Sequence, residues 1–121
     1  MVQQQDVQKK LMEFEQKRSV LVNVSGQRQN MQFQLDALKR AKDELQKTKE
    51  KKVYKAVGNI LILSDVKDVQ KEVEGQIDSL EVRAKSLQKQ EDSLIDGMNK
   101  MKSEIEDSIK TLKPSADEAP Q

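Results

Sequence analysis

Carboxylates and cationic side chains are the most numerous reactive groups of this sequence, 21 Asp and Glu against 22 Lys and Arg in 121 residues. Paired carboxylates run general acid–base chemistry when burial or a neighbour drives their proton affinities apart. Here they are strewn over solvent-facing helical positions with nothing in the pattern to perturb them, so an enzyme is the least expected reading. The chain has no His and no Cys, which excludes disulfides, thiolate nucleophiles, His-ligated metals and His acid–base catalysis. It has no phosphate-cradling loop either, and no cofactor, catalytic residue or metal site is expected. What remains is non-covalent chemistry by apolar side chains. Phe14 and the pair Met98 and Met101 stand out, since Met adapts to irregular partners better than any other side chain.

Charge narrows the partners. A net charge of +1 is not that of a domain built to neutralise phosphates, so no nucleic-acid partner is expected. The one basic run, "KTKEKKVYK" from Lys47 to Lys55, reads as a solvated loop or a strand flank, where charges also keep a strand edge from stray pairing. No apolar run approaches the roughly 20 residues that cross a bilayer, and the polar start "MVQQQDVQKK" is unlike a signal peptide. A soluble cytosolic protein without a membrane partner is the expectation.

Elements must position whatever apolar surface there is. With 36% charged and 2% aromatic residues the chain lacks material for a globular core and matches the composition of long helices. Disorder is the rival reading, and periodicity decides against it. From Val69 through Val73, Ile77, Leu80, Ala84, Leu87, Leu94, Met98, Met101, Ile105, Ile109 and Leu112 the steps are three or four, interrupted once by Glu91. The spacing predicts a helix over about 65–113, with Ser64 or Asp65 as N-cap and Pro114 as its stop. A weaker seam, interrupted by Lys10, Lys17, Arg28 and Lys42, predicts a helix over about 5–48. The pair makes one domain over 1–113, and "PSADEAPQ" at 114–121 is expected to be disordered.

Between the helices, at about 52–64, Val53 to Val57 and Ile60 to Leu63 are strand-like runs separated by Gly58-Asn59, a pair suited to a tight hairpin. Helices joined so briefly must fold back as an antiparallel coiled-coil pair. Two isolated strands are marginal in water, and "ILIL" would be an aggregation-prone edge. Its neighbours must therefore come from other chains. Val53, Tyr54, Val57, Gly58, Ile60, Leu61, Ile62 and Leu63 are the expected oligomerisation residues.

The string "VYKAVGNILI" between two helices, the second carrying "LEVRAKSLQKQEDSL", resembles the β-type subunits of the prefoldin family. The resemblance covers roughly residues 5 to 113, and the fit is closer to archaeal members. The α-type subunits carry two hairpins, and this connection has room for one. The resemblance implies a mainly α fold whose hairpin joins an intersubunit β-barrel in a hexamer of two α-type and four β-type subunits. Coiled-coil tentacles would hold unfolded client polypeptide at their tips and pass it to a group II chaperonin without ATP.

On that reading the client-binding residues are Val7, Leu11, Phe14, Met98, Met101, Ile105, Ile109 and Leu112. Taken singly, Phe14, Met98, Met101, Ile105 and Ile109 are each equally readable as ordinary coiled-coil core. Helix ends fray, however, and bare their apolar faces, which favours binding for the set. A purely structural tether is the alternative, and it accounts for the helices but not for the hairpin.

Overall fold

The computed structural model describes residues 4–112, so the tail expected to be disordered at 114–121 lies outside the described residues. The chain runs α1 (Gln4–Lys47), β1 (Lys52–Val57), β2 (Ile60–Asp65) and α2 (Val66–Leu112). It is the mainly helical fold that the periodicity calls for, with one antiparallel hairpin between two long helices.

Both helices are rich in Gln, Lys, Glu and Leu, which lose little side-chain freedom in a helix, and neither contains Pro. Asp6 and Asp68 lie in the first turns and Lys47 and Lys110 in the last, each complementing the helix dipole. The orphan groups at the inner helix ends find partners from the neighbouring element. Gln70 on α2 donates its amide to the Leu45 carbonyl of α1 at 3.0 Å. The first N–H of α2, on Val66, donates to the Lys51 carbonyl at 2.9 Å. The Ser64 hydroxyl, a candidate cap on sequence grounds, donates instead to the Ile62 carbonyl at 3.3 Å.

The chain divides into two packing units, each taking a length of both helices. Residues 27–86 carry the hairpin and an apolar core in which Leu35, Val73 and Ile77 are buried, flanked by Leu38, Leu45, Val69, Leu80 and Ala84. The short connection folds the helices back antiparallel here, so that Gln70 near the start of α2 meets Leu45 near the end of α1. The other unit pairs residues 4–26 with residues 87–112, again antiparallel, and its seam is of mixed character. Val7, Val24 and Ile105 are buried in it, and so are the polar side chains of Glu91 and Ser108. The Ser25 hydroxyl donates to Glu91, the Gln88 amide donates to the other carboxylate oxygen at 3.1 Å, and the Lys10 ammonium donates to the Ser108 hydroxyl at 3.4 Å.

Candidate functional site

The hairpin is built around its turn. Gly58 has φ +60°, a conformation that costs every residue with a Cβ, and it places Val57 opposite Ile60. From there the register runs Ala56 to Leu61, Lys55 to Ile62, Tyr54 to Leu63, Val53 to Ser64 and Lys52 to Asp65. Because side chains alternate, Val53, Lys55 and Val57 share one face with Ile60, Ile62 and Ser64. Tyr54 and Ala56 share the other with Leu61 and Leu63.

Among the described residues, neither face of the hairpin is covered by the rest of the chain. Tyr54, Val57, Ile60, Leu61, Ile62 and Leu63 are all exposed, Leu61 to 66% and Tyr54 to 69%, while Val53 is half-buried near the base. Four consecutive aliphatic side chains open to water on a two-stranded sheet form a contiguous apolar patch with free strand edges, the signature of an interaction surface. The hairpin is also linked back to α2 through a side chain. The Lys55 ammonium lies 2.6 Å from a carboxylate oxygen of Glu72 on α2.

The expected client-binding residues fall in the unit formed by residues 4–26 and 87–112. Val7 and Ile105 are buried there, Phe14, Met98, Met101 and Ile109 half-buried, and Leu11 is exposed; the side chain of Leu112 lies outside the described residues. Most of the described members of the set are therefore buried or half-buried in the helix pair, and among them Leu11 alone is open to solvent.

The seam pattern missed three kinds of residue. Met12, Val22, Phe33 and Val82 are large apolar side chains on outward faces, with Phe33 73% exposed. Phe33 stands two residues before buried Leu35, a rotation of about 200° on a helix, so its outward direction was implicit in the spacing. Ser25 and Ser108, as polar partners in the seam, carried no such signal. Nor did the pairing of Lys55 with Glu72, which depends on how the hairpin meets α2. Among the described residues there is no acidic cluster fit to hold a metal ion, and no helix is long and apolar enough to cross a membrane.

Residues 8–112 match the protein family described as prefoldin subunit. The chain is similar to the prefoldin subunit beta of Archaeoglobus fulgidus, with 39% identity over 89 residues that make up 73% of this chain and 77% of that protein. It is also similar to the prefoldin subunit beta of Thermococcus onnurineus, with 30% identity over 105 residues, 86% of this chain and 90% of that protein. The crystal structure of the prefoldin beta subunit from Thermococcus strain KS-1 matches it with a TM-score of 0.81 at 28% identity, covering 89% of this chain and 95% of that one. With the sequence match spanning both helices and the single hairpin between them, the chain belongs to the prefoldin subunit family and, within it, to the β type.

Proposed function

We propose that this chain is a subunit of a cytoplasmic, ATP-independent chaperone that holds unfolded polypeptide and delivers it to a group II chaperonin. Its hairpin joins those of α-type and further β-type subunits in a shared β-barrel, giving an α2β4 hexamer. The exposed apolar run Ile60 to Leu63 on a two-stranded sheet carries this reading. Left in water it forfeits about 25 cal/mol for every Å² of apolar surface that a neighbouring hairpin would cover. A purely structural tether without client binding would account for the two helices but not for this exposed apolar hairpin.

Client contact belongs to the unit of residues 4–26 and 87–112. Exposed Leu11 and Met12 offer the first apolar contact, and Val7, Phe14, Met98, Met101, Ile105, Ile109 and Leu112 add to it as the helix ends part. The mixed seam favours such parting, because every layer given to a polar pair contributes less burial than an aliphatic one. Contacts that are individually weak reach useful avidity when several subunits present them together.

Light scattering of a denatured protein diluted into excess assembled hexamer tests the reading, with assembly checked by sedimentation. Replacing Phe14, Met101 and Ile105 together by Ala should abolish suppression of aggregation and leave the hexamer mass unchanged, and ATP should alter neither result. Full protection by the triple variant would move client binding away from these residues.

A further inference from the structure

Lys55 is a charged side chain between Tyr54 and Ala56 in the middle of β1, and its ammonium is directed at α2. It stands on the face of Val53, Val57, Ile60 and Ile62, and it reaches Glu72 in the second turn of that helix at 2.6 Å. The base of the hairpin is tied separately, where the Val66 N–H meets the Lys51 carbonyl at 2.9 Å. A tie at the base leaves a two-stranded ribbon free to rock about that line. Lys55 lies about 13 Å further along β1, at roughly 3.3 Å per residue, so a link from there to α2 acts on a long lever against rocking.

We propose that the Lys55–Glu72 ion pair is a strut that fixes the angle at which the hairpin leaves α2, holding its strands ready to pair with those of neighbouring subunits. This rests on the hairpin being the assembly element. Strand pairing tolerates misplacement of only a few tenths of an ångström in each hydrogen bond, whereas tilting a hairpin about 20 Å long by about 5° displaces its tip by nearly 2 Å. Restricting that motion beforehand lowers the ordering that association must supply. Both side chains are partly exposed, 37% and 46%, so the pair adds little to the stability of the chain itself and its effect falls on assembly. The competing role for Lys55 is to guard a strand edge, which needs no carboxylate opposite and so would not depend on Glu72.

The test is co-assembly of the full chain with an α-type prefoldin subunit, followed by sedimentation at about 50 mM and about 1 M salt. Lys55→Glu and Glu72→Lys should each weaken assembly at low salt, by up to about fivefold for every hairpin that docks, with helicity unchanged. The double exchange should restore it, and at high salt the differences should vanish. Unaltered assembly of the single variants, or a double exchange that fails to restore it, overturns the strut. The Ile60→Asp, Ile62→Asp variant separates the two ideas. Its loss of assembly beside unaltered Lys55→Glu overturns the strut alone, whereas its normal assembly overturns the role of the hairpin and the strut with it.

Discussion

Glu91 occupies a seam position that aliphatic side chains fill elsewhere along α2, and it is 7% exposed. A carboxylate so placed must be hydrogen-bonded, because an unsatisfied buried charge costs far more than the contacts around it return. The Ser25 hydroxyl and the Gln88 amide supply two such bonds. Ser25→Ala should therefore lower stability by about 1–3 kcal/mol, the usual result of removing a partner from a buried polar group. In a Glu91→Gln background the same substitution should cost less, since the acceptor is then neutral. Thermal unfolding of the four chains at one fixed concentration gives the coupling; equal costs in both backgrounds would mean that the hydroxyl does not serve the carboxylate. Lys10 and Ser108 form a second polar layer in the same unit, so the seam is tied at two levels by pairs that contribute direction and register more than burial.

The hairpin depends on a backbone conformation at its turn. A Cβ built at Gly58 meets nothing within 4 Å, so any loss on substitution comes from φ +60° and not from crowding. Gly58→Ala should cost about 1–2 kcal/mol, and Gly58→Asn distinctly less, because Asn tolerates left-handed backbone through its local hydrogen bonding. The midpoint of thermal disassembly should separate the two variants, and equal midpoints would remove the turn from the list of features that matter. Gly58-Asn59 also explains why the hairpin was legible at all. Two residues between two strand-like runs fix the register without reference to the rest of the chain, and the observed pairing of Val57 with Ile60 follows from it. The helices were legible for a similar reason, as spacings of three and four persist for many turns and Pro is absent inside them.

At the scale of the molecule the two packing units differ in how they are held. Residues 27–86 bury Leu35 to 3% against Val73 and Ile77, whereas the other unit interleaves its aliphatic layers with Glu91 and Ser108. Local opening free energy follows buried apolar contact, so amide exchange should be slowest around Leu35, Val73 and Ile77 and faster by an order of magnitude or more around Phe14 and Met101. Uniform protection along both helices would contradict that division, and with it the parting of the helix ends invoked for client contact. The sequence by itself determined the two helices, the single hairpin, its turn and its apolar run, because each is written in spacings of two, three or four residues. It also marked Glu91 as the interruption in the seam of α2. Only the tertiary structure decided that Ser25 meets Glu91, that Lys10 meets Ser108 and that Lys55 reaches Glu72. It decided as well that Val7 and Ile105 are buried while Leu11 stays open to solvent. These follow from the alignment of one helix against the other and from the tilt of the hairpin, which are set by contacts between residues far apart in the chain and leave no mark in the local pattern of either.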